Sequence, residues 1–243
     1  MNQMNVWGMT DIGLVRKENQ DAYVTAQHTA SGRTVGVVCD GMGGPAGGRG
    51  ASRIAVSVFL EELEKLLTAD QDPQQLLEAS AQAVSLANQA IQEEAERREE
   101  CRNMGTTLVS AISYDAGVVV TNVGDSRAYH ISENGITRIT KDHSLVESMV
   151  DRGDITEEEA RRHPSRNLIT RALGPDISAD CDGYICPMQA GEYLLLCSDG
   201  LVNTVTDQEM LFEVIHGDGP DTAWTGCWPS PSARARRTMS RPS

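Results

Sequence analysis

Apolar positions follow two rhythms along the chain. Short continuous runs at residues 35–39, Gly117–Val123 and 194–197 are bounded by Gly, Ser or Asp. Runs this brief, bounded by turn formers, predict buried strands instead of helices. Alternation of apolar and polar positions over 106–114, with the short segments 127–131 and 136–140, predicts further strands. Residues 132–135 have the length of a hairpin connection, so most of the sheet should be antiparallel. Two longer segments carry a helical pattern, one over about 49–67 and one from Asp72 to about Glu100. The Asp72 side chain can cap the second, and Pro73 fits its first helical position. Ser144 with Glu147, Thr156 with Glu159 and Thr206 with Glu209 form capping boxes that predict three shorter helices. Strands, then two helices, then strands predicts an α+β domain and not a βαβ repeat.

Composition narrows the picture. A chain of 243 residues makes one domain, or at most two. Thirty-five acidic against 21 basic residues give a formal charge of −14, which repels nucleic acid and anionic lipid. Aromatics are 4% and apolar residues 40%, so the core must be aliphatic, and disorder of the whole chain is excluded. No apolar run approaches the ~18 residues of a membrane span, and the first ten residues lack the order of a signal peptide. The expectation is a cytoplasmic monomer. Six cysteines without a C-x-x-C pair predict buried, reduced thiols. The dense charge after Gln92 reads as a solvated helix face.

Residues 224–243 differ from everything before them. They hold four Arg, three Pro, four Ser and two of the three Trp, while all 35 acidic residues precede them. Without helical or strand periodicity, this segment is expected to be a disordered basic tail. The abruptness of the change also fits a frameshift or altered 3′ end near codon 223.

The candidate chemistry lies in a pattern that recurs three times, a strand-like run ending in aspartate beside a small residue. Val37-Val38-Cys39-Asp40-Gly41, Leu195-Leu196-Cys197-Ser198-Asp199-Gly200 and Asn122-Val123-Gly124-Asp125-Ser126 all have it. Each aspartate alone could simply cap a turn. Three carboxylates at the ends of strands in one sheet would repel, and a divalent cation cluster is the economical remedy. All-oxygen donors favour Mg²⁺ or Mn²⁺ over zinc or copper. Near the N-terminus, Arg16 offers a planar fork suited to phosphate and Asp21 a fourth carboxylate, although either could be an ordinary surface residue. The glycine cluster 41–50 loosely fits a dinucleotide turn, but Asp40 would face the pyrophosphate and the following helix leads to another helix. Neither a nucleotide P-loop nor a cysteine nucleophile followed six positions later by arginine is present.

Together these segments resemble the metal-dependent serine/threonine protein phosphatases of type 2C, in their bacterial form. The matching stretches are Arg16 to Asp21, Asp40-Gly41-Met42-Gly43-Gly44, Met104-Gly105-Thr106-Thr107, Val123 to Tyr129, Lys141-Asp142-His143-Ser144, Asn167 to Gly174 and Ser198-Asp199-Gly200, in family order. The resemblance implies a catalytic domain over 1–223 with an α-β-β-α sandwich of two central antiparallel sheets and a flap at about 142–174. It implies that Asp40 bridges two Mn²⁺ or Mg²⁺ ions and that the Gly41 carbonyl binds one of them. Asp199 would hold the first ion, Asp21 waters on the second, and Asp125 a weaker third. Arg16 would grip the phosphate of a phosphoprotein substrate, including a bacterial Ser/Thr kinase and its products, and a metal-activated water would cleave the ester.

Two features depart from the family, one at Met42 and one after Ala223. Met42 stands where eukaryotic members carry a histidine proposed as general acid, and His143 reads as structural or substrate-facing. The family closes on a strand and an Asp-Asn-x-Thr segment whose aspartate binds the first metal, and no such segment follows Ala223. An active hydrolase and a catalytically impaired, binding-only relative therefore both stand, with a regulator of a partner-switching protein as a more distant reading.

Overall fold

The computed structural model describes residues 5–13 and 18–216. Arg16, the boundary expected at residue 223, the expected loss of the last strand, and the 224–243 tail all lie outside them.

Strands β1 (Asp21–Gln27), β2 (Thr34–Met42), β3 (Gly105–Thr106), β4 (Leu108–Tyr114), β5 (Gly117–Val123) and β8 (Asp182–Pro187) make one antiparallel sheet. Its order is β1-β2-β4-β5-β8, with β3 paired to the end of β2. A second antiparallel sheet runs β7 (Gly135–Arg138), β6 (Arg127–Ser132), β9 (Tyr193–Cys197). Helices α1 (Gly44–Leu66) and α2 (Pro73–Arg97) cover the outer face of the first sheet, while α5 (Asp199–Val202) and α6 (Asp207–His216) pack on the second. Two short helices, α3 (Leu145–Asp151) and α4 (Glu157–Arg162), lie within the expected flap.

Three apolar clusters bind these layers. Val37, Ile112 and Val119 on one face of the first sheet meet Phe59, Leu63, Leu76 and Ile91 of α1 and α2. Val109, Val120 and Ala128 fill the space between the sheets, against Val38 and Leu196. Tyr129, Leu195 and Met210 join the second sheet to α6. The result is the α-β-β-α sandwich implied by the resemblance. Each fully buried Leu, Ile or Phe contributes about 1.5–3 kcal/mol relative to exposure. The buried face of α2 is Leu76, Ala79, Ser80, Ala83, Val84, Ala87, Asn88 and Ile91, the three-and-four spacing of an amphipathic helix.

Several boundaries correct the sequence reading. The first helix begins at Gly44, five residues before the expected start, with a proline in its first turn. Its early glycines are there for close packing: a Cβ on Gly47 would lie 2.9 Å from Met104 Cβ, and one on Gly48 would lie 2.9 Å from the Gly41 carbonyl. The second helix stops at Arg97, and a 3₁₀ turn, Glu99–Cys101, follows. The strand expected over 106–114 breaks between β3 and β4 at Thr107, and that expected over 136–140 ends at Arg138. β1 and β8, the two edges of the larger sheet, were not anticipated. The Thr156–Glu159 and Thr206–Glu209 capping boxes close, whereas at Ser144 only the bond from Glu147 N–H forms, because the Glu147 carboxylate pairs with Arg138 at 2.7 Å. The five cysteines among the described residues are free, with Cys39, Cys101 and Cys197 buried. No helix among the described residues is long and apolar enough to cross a membrane.

Candidate active site

Asp21 and Asp40 face each other in register across β1 and β2, which puts two carboxylates at one end of the larger sheet. Asp199 opens α5 directly after β9, and Asp125 sits in the tight turn between β5 and β6. The packing of the two sheets brings the strand ends together. Asp40, partly buried, feels Asp21, Asp199 and Asp125.

Electrostatics reports that proximity. Burial, then repulsion from Asp21, Asp199 and Asp125, pushes the Asp40 carboxyl up to about 9, and Asp199 is also within hydrogen-bonding reach. Every one of these influences disfavours the charged form. Asp125 is raised to about 7 by burial and by Asp199 and Asp142, against the opposing pull of a backbone N–H and Arg127. Beneath them, burial followed by the charges of Asp40 and Asp21 raises the Cys39 thiol far above its ordinary range. Burial lifts Cys197 to about 12. With their thiolates so disfavoured, neither cysteine is a candidate nucleophile.

Main-chain contacts set the positions of the donors. Thr107 holds both polar groups of the Asp40 backbone: its Oγ1 accepts from Asp40 N–H at 2.9 Å, and its N–H donates to the Asp40 carbonyl at 2.9 Å. Thr106 Oγ1 donates to the same carbonyl at 2.9 Å. Gly41 is buried, and only glycine fits there, because a Cβ would come within 2.1 Å of Gly48 O and 2.7 Å of Gln20 O. Ser198 Oγ donates to Asp21 Oδ2 at 2.8 Å, tying β9 to β1, and Asn203 Nδ2 donates to Asp199 Oδ2 at 3.1 Å. Asp21, Asp40 and Asp199 line, with Val38 and Leu196, a cavity of about 610 Å³.

This donor set suits a hard divalent cation. Asp40 is a partly buried carboxyl whose perturbing neighbours are all carboxylates, and the surrounding donors are oxygens. Among the described residues no group of three or more His, Cys, Asp or Glu side chains is placed to hold a metal ion by itself, so the fit rests on the carboxylates around Asp40 and on the oxygen chemistry of the donors.

The structure thus brings Asp21, Asp40, Asp125 and Asp199 together, with Gly41 beside Asp40; Arg16 lies outside the described residues. The sequence reading missed Thr107, Ser198 and Asn203 as positioning groups. Thr107 left one trace in the sequence, a polar pair interrupting the alternation that leads into β4.

The family model for protein phosphatase 2C matches residues 15–217. The chain is 38% identical over 204 residues to the serine/threonine phosphatase stp of Listeria welshimeri, covering 83% of this chain and 79% of that one. A bacterial serine phosphatase crystal structure superposes with a TM-score of 0.83 at 34% identity, covering 90% and 87% of the two chains. The catalytic domain of the serine threonine protein phosphatase PstP, solved with two manganese ions, gives 0.71 at 32% identity, covering 88% and 85%. Carboxylates gathered at one end of a four-layer sandwich and a match over most of the length agree: the chain belongs to the protein phosphatase 2C family.

Proposed function

We propose that this serine/threonine protein phosphatase hydrolyses phosphoserine and phosphothreonine monoesters in proteins, with two Mn²⁺ or Mg²⁺ ions held by Asp40, Asp199 and the Gly41 carbonyl. The observation that carries the reading is the Asp40 carboxyl, raised to about 9 among three other carboxylates. Asp21 would hold water on the second ion and Asp125 a third, weaker ion. When bound, the ions lower the pKa of water and neutralise charge on the phosphoryl group. The chain's own groups do the rest. Asp40 would have to give up its proton to hold an ion, which links metal binding to deprotonation. Ser198 fixes the Asp21 carboxylate, and the Thr106–Thr107 segment fixes the Asp40 backbone. Arg16, from the resemblance alone, orients the phosphate. Water adds to phosphorus, and the serine or threonine oxygen leaves with a proton. The substrates include proteins phosphorylated by a bacterial Ser/Thr kinase, and residues 142–174 form the flap that selects among them.

The test is phosphate release from a phosphothreonine peptide by the full chain, with and without Mn²⁺, beside Asp40→Asn. Metal-dependent turnover that falls about a hundredfold or more in the variant is expected, since the ions supply several kcal/mol. Turnover unchanged in the variant, or independent of metal, overturns the proposal. A second reading, a phosphate-binding chain without turnover, is favoured by one observation: residues 224–243 hold no carboxylate. A folded protein that binds Mn²⁺ and releases no phosphate would establish it.

A further inference from the structure

His143 is a buried polar side chain, 7% exposed, that the proposed chemistry does not use. It stands where four segments meet. Its Nδ1 accepts from the Gly124 N–H at 3.1 Å, and its own N–H donates to the Gly124 carbonyl at 2.9 Å. Its carbonyl accepts from Thr170 N–H at 2.8 Å, and the neighbouring Ser144 bridges to Ile169. Its Nε2 lies 3.3 Å from Asp182 Oδ2 and 3.2 Å from Arg171 Nη1. One residue thereby joins the turn that carries Asp125, both stems of the 142–174 segment and the first residue of β8.

The tautomer follows from these partners. A backbone N–H can only donate, so Nδ1 carries no proton and the ring hydrogen sits on Nε2, directed at Asp182; Arg171 Nη1, itself a donor, then lies beside Nε2 without a hydrogen bond to it. Asp182 in turn accepts from Arg171 Nη1 at 3.0 Å. Gly124 has φ +102°, and a Cβ there would meet Thr107 Cγ2 at 2.6 Å. Only glycine reaches this backbone conformation freely, so the turn's direction is set by its hydrogen bonds, and Asn122 Nδ2 adds one to the Gly124 carbonyl at 3.2 Å. On the other side of the segment, Asn88 of α2 accepts from Gly174 N–H at 2.6 Å and fixes the far stem independently. Nothing else among the described residues accepts from the Gly124 N–H.

We infer that His143 is a positioning residue. Its Nδ1 fixes the Gly124 peptide, and through it the direction of the Asp125 carboxylate, while its main chain ties that turn to the base of the flap. Occupancy of Asp125 by a cation is thereby coupled to the hydrogen bond that the His143 ring makes to Gly124. The cation half of this inference rests on the proposed metal chemistry, and the hydrogen-bond half does not.

Amide replacements separate the two ring nitrogens. In His143→Asn the side-chain oxygen can take the place of Nδ1, whereas in His143→Gln the amide reaches toward the place of Nε2. The first readout is hydrogen exchange at the Gly124 amide in metal-free protein. Exchange at least about tenfold faster in His143→Gln and His143→Ala, with His143→Asn close to the parent, is expected. The second is direct titration of bound Mn²⁺: the weaker site should lose about tenfold to a hundredfold in affinity in the same two variants and recover in His143→Asn. Should His143→Ala fail to fold, the Asn and Gln pair still decides the matter. Equal exchange at Gly124 in Asn and Gln variants overturns the inference, as does unchanged exchange in both His143→Gln and His143→Ala. A parent chain that binds no Mn²⁺ removes the metal reading and with it the cation coupling, while Gly124 exchange still decides the positioning role.

Discussion

Replacing Asp40 by asparagine in the metal-free protein should change how stability depends on pH. The folded carboxyl titrates at about 9 against 3.8 for an ordinary aspartate, so the folded state binds its proton more tightly than the unfolded state does. This contribution is fully present below about pH 4 and is lost as pH climbs through 9. Asp125 acts in the same direction only up to about 7, which leaves pH 7.5 to 8.5 as the window for Asp40. One proton per molecule corresponds to about 1.4 kcal/mol per pH unit. Asp40 is only partly buried, so water relieves some of this, and a loss of about 1 kcal/mol across the window is expected. With a urea m-value of about 2.5 kcal/mol/M for a chain of this size, that is a midpoint shift of about 0.4 M. The buried thiols Cys39 and Cys197 also lower stability in alkali, and both remain in Asp40→Asn. Subtracting the two pH profiles removes most of their share. The assay is urea unfolding of chelator-treated parent and variant at pH 7.5, 8.0 and 8.5, where the variant should be nearly level and the parent should fall. Parallel profiles would refute the argument that burial, with repulsion from the neighbouring carboxylates, holds the proton on Asp40 in the fold. Saturating Mn²⁺ should abolish the parent's loss, because the ion requires the ionised form.

Two further outcomes test the scaffold. Arg127 grips Asp142 with Nε to Oδ1 at 2.9 Å and Nη2 to Oδ2 at 2.6 Å; Arg127→Ala leaves that buried carboxylate only the longer Arg138 contact at 3.9 Å and should cost about 3 kcal/mol in urea unfolding at pH 7, while a cost under about 1 kcal/mol would show the pair to be dispensable. Gly41→Ala drives a methyl against the Gly48 carbonyl and should destabilise the fold by about 3 kcal/mol, measured the same way, whereas a neutral result would mean that α1 and β2 can part without penalty.

The interior of this protein was easier to read than its edges. β5 is buried at every position, and β2 alternates buried with half-buried ones, so both stand out as apolar runs. β1, Asp-Ala-Tyr-Val-Thr-Ala-Gln, and β8, Asp-Gly-Tyr-Ile-Cys-Pro, lie at the two rims of the sheet, where exposed positions tolerate polar residues. Their sequences therefore carry little signal. The start of α1 was hidden for a different reason. Glycines at 47 and 48 speak against a helix by propensity, yet close approach to Met104 and Gly41 demands them, and packing overrides propensity. At the candidate site, aspartates ending apolar runs were visible because a carboxylate there is costly and so conspicuous. The hydroxyls that hold them were not, since Thr107 and Ser198 are ordinary residues until the strands are brought together.

The grip of Thr106 and Thr107 on the Asp40 main chain bears on which ion the site will tolerate. With N–H and carbonyl both engaged at 2.9 Å, this strand end cannot drift inward or outward to follow an ionic radius. Mg²⁺ prefers oxygens at about 2.0–2.1 Å, and Ca²⁺ takes them at about 2.3–2.6 Å with more of them. A scaffold that does not yield makes the larger ion surrender ligands or draw extra water, and discrimination becomes a matter of stiffness more than of charge. With ions bound as proposed, the protein would act as a gauge that favours small hard cations.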